Sequence, residues 1–128
     1  MPSVFAMMKT LCSFANRNPD VKSYITGLES KVSMEIKGEE PFYLEFSNDE
    51  ISVHKGVPDQ ADATINSEKE TMDDIIAGKL SQEDAFNRKL IETSGSIADA
   101  MRVRYVINQT LQKSKTLGLM QRLLGAFR

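Results

Sequence analysis

Three consecutive segments alternate apolar and polar residues with a period of two, and this grouping constrains the fold more than any other feature of the chain. The segments read KVSMEIKG, PFYLEFSN and EISVHKG. Such alternation is typical of strands that bury one face. Short polar breaks of hairpin length, Glu39-Glu40 and Asn48-Asp49, separate the segments. The sequence therefore predicts an antiparallel meander with one solvated face and one buried face.

Helical periodicity surrounds this meander. Apolar residues recur at three- and four-residue spacing from Val4 to Ala15, and Asn18-Pro19 is typical of a helix start. Two further strand candidates, ADATIN and KLIETSG, bring the expected sheet to five strands. Because the strands are grouped rather than alternating with helices, we expect the α+β class, with a mostly antiparallel five-stranded sheet covered on one face by helices.

The segment between the meander and the last helix contains three predicted helix starts. Each has a serine three residues before a carboxylate, the spacing of an N-terminal capping box: Ser67–Glu70, Ser81–Asp84 and Ser96–Asp99. The helix that follows the first box is expected to end at Gly78, with this glycine in the left-handed conformation. A helix that stops there and restarts within three residues bends around the sheet. Such a bend can leave a cavity beside the sheet instead of filling that space with side chains.

Bulk properties exclude several classes of protein. A chain of 128 residues favours one domain, residues 1–128, and the net charge of −2 gives no reason to expect a nucleic-acid partner. The single cysteine, Cys12, indicates a reducing, cytoplasmic location. Residues 100–128 carry six basic and no acidic groups, whereas residues 1–99 have a net charge of −8. This asymmetry predicts a basic surface at the C-terminal end, suited to transient contact with an anionic membrane.

Catalytic chemistry is not indicated by the residue types. His54 falls on the polar face of its strand without an evident nucleophile beside it, and Cys12 sits in an apolar helical stripe as small buried filler. No cluster with metal-ligand spacing and no glycine-rich phosphate loop occurs. We therefore expect no enzyme activity, no cofactor and no metal.

One long stretch resembles a known family. ADATINSEKETMDDIIAGKLSQEDAF, followed by KLIETSGSIADAM, is similar to the type-two sterol carrier protein (sterol-binding) family. The positions that carry the resemblance are Asp62, Thr64, Ile65, Gly78-Lys79-Leu80, Ala85-Phe86 and Gly95. Two positions depart from the family pattern. Lys89 stands where members usually have glycine, and Thr93 stands where a larger apolar residue is common.

The resemblance implies an apolar tunnel between helices and sheet that holds a sterol, fatty acid or acyl-CoA chain without catalysis. An alternative is an accessory subunit that presents an isoprenoid or other lipid to partner biosynthetic enzymes. A further alternative is a closed core without a ligand. The chain has seven methionines and six phenylalanines, which suit an adaptable lining but also simply fill gaps in a core.

Alternation along the strands and spacing along the helices select the expected ligand-binding side chains. We expect them around one cavity of a few hundred Å³, and they are Met34, Phe42, Leu44, Phe46, Ile65, Met72, Ile76, Leu80, Phe86, Met101, Tyr105 and Met120. The tail TLGLMQRLLGAFR has an apolar stripe beside basic residues. It is interpreted either as a helix that closes the core or as a lid that docks on a membrane.

Overall fold

The helices and strands follow the predicted order. The computed structural model of the protein describes residues 3–116, and the side chains of residues 3–113. The elements are α1 (Val4–Arg17), α2 (Pro19–Lys22), β1 (Ser30–Lys37), β2 (Phe42–Ser47), β3 (Glu50–Lys55), β4 (Ala63–Glu68), α3 (Lys69–Ile76), α4 (Gln82–Asn87), β5 (Ile91–Gly95) and α5 (Ile97–Thr116). The α+β class and the five strands expected from the sequence are therefore confirmed.

The five strands form one mixed sheet in the order β3-β2-β1-β4-β5. The pairs β2–β3, β1–β2 and β4–β5 are antiparallel, whereas the central strands β1 and β4 run parallel, with Val32 opposite Ala63. The prediction of a mostly antiparallel sheet is thus corrected to a mixed sheet. The parallel pair arises because the connection from β3 to β4 crosses back over two strands, so that β4 enters the sheet beside β1. Periodicity within a strand carries no information about that choice of neighbour.

Three of the four predicted helix starts are confirmed. The Asn18 side chain accepts hydrogen bonds from the backbone N–H groups of Asp20 and Val21, at 3.0 and 3.2 Å. The hydroxyl oxygens of Ser81 and Ser96 accept hydrogen bonds from backbone N–H groups three residues later, at 3.0 and 3.2 Å. Such caps satisfy N–H groups that have no partner within the helix.

The predicted capping box at Ser67 is wrong. Ser67 belongs to β4, where it pairs with Ile36 and Ile91, and its hydroxyl donates to the Glu68 carbonyl oxygen at 3.0 Å. The helix α3 begins one residue later than a box would require, and Glu68 occupies the cap position without a side-chain hydrogen bond. Pairing with two neighbouring strands therefore overrides the local capping preference.

Side-chain hydrogen bonds attach α1 to the sheet at both of its ends. The Glu39 carboxylate, in the β1–β2 turn, accepts from the Val4 N–H at 3.0 Å with each oxygen. At the other end the Asn16 amide both donates to the Ile51 carbonyl oxygen and accepts from the Ile51 N–H, at 2.8 and 2.9 Å. The second pair satisfies backbone groups on the edge strand β3 and places α1 above it.

The core lies between the helices and one face of the sheet. Alternate residues of β1, β2 and β4 are buried on that face, as their period of two predicts. The other face carries polar side chains such as Glu35, Lys37 and Glu92, which are exposed. The described helices therefore all contribute to one apolar layer, and the candidate site is sought within it.

Candidate functional site

The predicted ligand-binding residues divide into four groups by exposure. Seven are buried in the core: Met34, Phe42, Leu44, Phe46, Ile65, Met72 and Ile76. Leu80 is half-buried and packs against them. Three are exposed, namely Phe86 at 42%, Met101 at 51% and Tyr105 at 48%. Met120, like all of the tail after Thr116, lies outside the described residues.

A small apolar cavity lies between the sheet and the helices. Its volume is about 20 Å³, close to the space that one water molecule needs. The lining side chains come from three strands and three helices: Met34, Ile65, Ile91, Met72, Ile75, Gln82, Arg104 and Ile107. Three of the predicted residues, Met34, Ile65 and Met72, meet here. This cavity is far smaller than the few hundred Å³ that the sequence led us to expect.

The last helix turns a different face to the core from the one that its largest side chains suggested. Its buried residues are Ala100, Val103, Val106, Ile107 and Thr110. The predicted ligand-binding residues Met101 and Tyr105 lie on the outer surface, as does Ile97. Small and β-branched side chains bring a helix close to a sheet, whereas methionine and tyrosine retain contact with solvent on the outside. The assignment of Met101 and Tyr105 to an inner wall is therefore corrected.

Phe86 also lies outside the core, and its ring is in contact with a cation. The guanidinium carbon of Arg104 lies 4.6 Å from the centroid of the Phe86 ring. Ala85, its neighbour in α4, is fully buried. The six-residue helix can bury only one of these two adjacent positions, and it buries the smaller one.

Five cavity-lining residues were absent from the sequence prediction: Ile75, Gln82, Ile91, Arg104 and Ile107. The spacing could have found two of them, because Ile75 lies three residues after Met72 and Ile107 lies four after Val103. Gln82 and Arg104 are polar, so a search for apolar stripes passes over them.

A surface groove lies directly outside this cavity. It has a volume of about 270 Å³ and runs between α5 and the start of α4, with Gln82, Glu83, Met101, Arg104 and Tyr105 in its lining. The ring of Tyr105, one of the lining residues, meets the ring of Tyr24 edge to face with centroids 5.0 Å apart. Hydrogen bonding with Tyr24 raises the pKa of Tyr105 above its ordinary value.

A larger pocket at the ends of β1 and β4 is a poor match for a lipid chain. Its volume is about 550 Å³, and the side chains of Lys37, Glu68, Lys89 and Glu92 contribute to its lining. An alkyl chain gains free energy by leaving water for apolar surroundings, but this pocket is open to solvent, and its apolar residues Ile36, Val57 and Leu90 lie among charged side chains. We therefore place the candidate lipid site at the small apolar cavity and not at this larger pocket.

One arrangement on the open face of the sheet has the residue types of a hydrolase triad but not the geometry. The Ser52 hydroxyl and a Glu45 carboxylate oxygen lie 2.9 and 3.1 Å from His54, and both face the same ring nitrogen, Nε2. A triad needs the nucleophile on one ring nitrogen and the orienting acid on the other. Ser52 and Glu45 instead compete for one atom, so the arrangement does not activate a nucleophile.

The thiol of the single cysteine is unreactive. Cys12 is buried in α1, and this burial raises the pKa of its thiol to about 12. The thiolate is the reactive form, so the neutral thiol serves as small apolar filler, as the sequence predicted. Among residues 3–113, no group of three or more His, Cys, Asp or Glu side chains could hold a metal ion. None of the described helices is long and apolar enough to cross a membrane.

Asp62 explains why an acidic residue precedes β4. Its carboxylate accepts from the Lys31 N–H at 2.8 Å, and its own N–H donates to the Lys31 carbonyl oxygen at 2.8 Å. Its carbonyl oxygen accepts from the Ser96 N–H at 2.8 Å. The residue thereby joins β1, β4 and the start of α5.

The glycines of the motif correspond to particular backbone conformations. Gly78 and Gly95 have φ values of +80° and +81°, which favour glycine. Lys89, which stands where the resemblance expects glycine, has a φ of +59°. The departure from the pattern therefore keeps the left-handed turn and places a strained lysine in it.

Comparison with known proteins agrees with this fold. The SCP-2 sterol transfer family matches residues 8–108. Among solved structures, the UbiJ-SCP2 ubiquinone synthesis protein is 20% identical, with a TM-score of 0.65, over 86% of this chain and 95% of that one. A palmitated SCP2L2 from Aedes aegypti is 21% identical, with a TM-score of 0.66, over 83% of this chain and 95% of that one.

A third solved structure, sterol carrier protein domain 2 of Helicoverpa armigera, is 20% identical, with a TM-score of 0.67, over 85% of this chain and 88% of that one. A search of curated protein sequences found no match. At these identities the solved structures show a shared fold. The family match covers more than half of the chain, and the protein therefore belongs to the SCP-2 sterol transfer family.

Proposed function

We propose that the protein binds or transfers a lipid without catalysis, holding the chain of a sterol, fatty acid or acyl-CoA-like molecule at the apolar cavity. The observation that carries the proposal is the cavity itself, an apolar space between sheet and helices in a protein of a sterol transfer family. Met34, Ile65 and Met72 are the predicted ligand-binding residues that line it.

Lipid binding at this place requires the cavity to enlarge. A volume of about 20 Å³ is too small for an alkyl chain, so the chain must displace lining side chains. Met34 and Met72 suit this role, because an unbranched thioether side chain adopts many shapes at little cost. Burial of the alkyl chain contributes about 0.8 kcal/mol per CH₂ group, which offsets this rearrangement and the loss of freedom on association.

Ile65→Phe tests the location. We expect the added ring to fill the cavity and to weaken binding of a fluorescent fatty acid by about 10- to 100-fold, because moving an extra ring in a packed core costs about 1–3 kcal/mol. Equilibrium fluorescence titration measures the affinity.

Ile51→Phe is the matched control. Ile51 and Ile65 are both buried isoleucines on the covered face of the sheet, but Ile51 lies on the edge strand β3, away from the cavity. It should therefore destabilise the fold without changing affinity. Equal loss of affinity in both variants would show that the lipid site lies elsewhere in the protein. Absence of binding by the unaltered protein would reject the proposed function.

A second candidate function is an accessory subunit that presents an isoprenoid or other lipid substrate to partner enzymes. The similarity to the UbiJ-SCP2 ubiquinone synthesis protein favours it. Gentle affinity purification of the full chain distinguishes the two functions. Recurrent recovery of biosynthetic enzymes supports the accessory role, whereas a monomer that carries lipid alone supports the carrier.

Contact of residues 100–128 with an anionic membrane stays a prediction, as does the cytoplasmic location. Within the described part of this segment, Arg102 and Lys113 form ion pairs with Asp99 and Asp20, at 3.6 and 3.4 Å. These pairs reduce the charge available to a membrane. Salt-sensitive sedimentation with anionic but not neutral vesicles would support the contact, and equal sedimentation with both would contradict it.

A further inference from the structure

The apolar cavity and the surface groove share two side chains, Gln82 and Arg104. Both residues belong to the lining of the apolar cavity and to the lining of the groove. They are joined by a hydrogen bond, in which the Gln82 amide donates to the Arg104 carbonyl oxygen at 3.2 Å. The partition between the inner space and the solvent is thus made in part by two polar side chains, in a layer that is otherwise apolar.

Arg104 lacks the partners that an arginine in such a place normally has. Its Nε atom is buried and has no hydrogen-bond partner. Its Nη1 atom contacts the Met101 sulfur at 3.3 Å, and its guanidinium lies over the Phe86 ring. No ion pair with a carboxylate is found for it among the described residues, whereas Arg102, two residues earlier on the same helix, pairs with Asp99.

An unsatisfied buried guanidinium N–H costs free energy, and an anion bound beside this side chain, which lines both the cavity and the groove, would satisfy it. A planar guanidinium binds a carboxylate through two parallel hydrogen bonds. Within the part of the chain whose side chains are described, the groove is lined by a single carboxylate, that of Glu83, which is exposed to solvent. This nearby negative charge is more compatible with a singly charged headgroup than with a phosphate.

We propose that the gap between α4 and α5 is the ligand entrance, and that Arg104 binds the carboxylate of a single-chain amphiphile whose tail enters the cavity. The proposal rests on the proposed lipid-binding function and narrows its ligand to a long-chain carboxylic acid. Gln82 holds the helix that carries Arg104 in place, and the headgroup stays in the groove at the border with solvent. The Phe86 ring packs against the guanidinium, and the role of this exposed aromatic residue is then to hold Arg104 in position.

The test compares hexadecanoic acid, hexadecanol and hexadecyl phosphate by displacement of a neutral fluorescent lipid from the full-length protein. The unaltered protein should prefer the acid to the alcohol. In Arg104→Met the affinity for the acid should fall by about 10- to 100-fold, the range expected for one hydrogen bond to a charged group. Its affinity for the alcohol should hardly change, since methionine retains the apolar length.

Two further variants separate this role from a general effect on the fold. Arg102→Met removes the same charge from the same helix outside the groove, and it should keep the preference for the acid. Arg104→Gln provides a second test if Arg104→Met does not fold, with the same expected loss of preference.

The outcomes separate the two proposals. Equal binding of acid and alcohol by the unaltered protein, or a preference that survives both Arg104 variants, overturns the role of Arg104 while lipid binding stands. Tighter binding of the phosphate than of the acid overturns the carboxylate ligand. Failure of the fluorescent lipid and of all three probes to bind the unaltered protein rejects the proposed function itself.

Discussion

Phe42→Ala should lower the free energy of unfolding by about 3–5 kcal/mol, the usual range for removing a phenyl ring from a packed core. Phe42 is 1% exposed on β2, and its ring meets that of Phe5 edge to face, with centroids 5.6 Å apart. The substitution removes buried apolar surface and the aromatic contact together. It also leaves a space that the sheet cannot close, because β2 is paired with a strand on both sides. Chemical denaturation of both proteins measures the difference.

Phe86→Ala is the control, since it removes the same ring from an exposed position. Its loss of stability should stay within about 1 kcal/mol, the scale of a solvated cation–π contact. The comparison also tests the correction made to the sequence prediction, which placed both phenylalanines in one apolar wall. Similar losses in the two variants would contradict the burial difference on which the candidate site depends.

The strands were predictable because one local property decides them. A period of two in β2 places Phe42, Leu44 and Phe46 on one face, and no other secondary structure buries all three together. The caps at Asn18, Ser81 and Ser96 were predictable for the same reason, since the donor and the acceptor lie within three residues of each other.

The sequence predictions that were wrong concern features that depend on contacts between distant segments of the chain. The parallel neighbour of β1 is chosen by where the chain returns after β3, and the same return places Ser67 in a strand rather than in a cap. On α5 two stripes compete for the core, and the smaller side chains of the stripe with Val103 win because they fit closely against the sheet. Hydrophobicity alone ranks Met101 above Ala100, and it therefore points to the wrong side of the helix.

The cavity was the least predictable feature, because its volume is a small difference between large packed volumes. The sequence identified Met34, Ile65 and Met72 among its lining but not how closely they pack. Arg104 could not be found from apolar periodicity at all. Its position became informative only when its unpaired Nε and the two spaces beside it were known.

Gly95 is the motif position for which the structure gives the strictest physical requirement. It ends β5 with a φ of +81°, and a Cβ atom at this position would lie 2.7 Å from the Asp62 carbonyl oxygen and 3.0 Å from the Ala63 Cα. Both are backbone atoms at the start of the neighbouring strand β4, so neither can turn away as a side chain would. The same Asp62 oxygen accepts the Ser96 N–H at the start of α5. A side chain at position 95 therefore disturbs the junction between the sheet and the helix that carries Arg104.

Gly95→Ala should consequently lower the free energy of unfolding by about 2–5 kcal/mol, from about 1–2 kcal/mol for the left-handed backbone and about 1–3 kcal/mol for the steric conflict. Gly27→Ala separates these two contributions, because Gly27 has the same φ of +81° but no atom within 4 Å of an added Cβ. It should show only the backbone cost. Denaturant unfolding of the two variants beside the unaltered protein gives the difference directly, and we expect Gly95→Ala to be the less stable by about 1–3 kcal/mol. If the two variants lose equal stability, the close approach of the strands at Asp62 is not what requires glycine at this position. The requirement would then be one of backbone conformation alone, as it is at Lys89, where a non-glycine residue is tolerated.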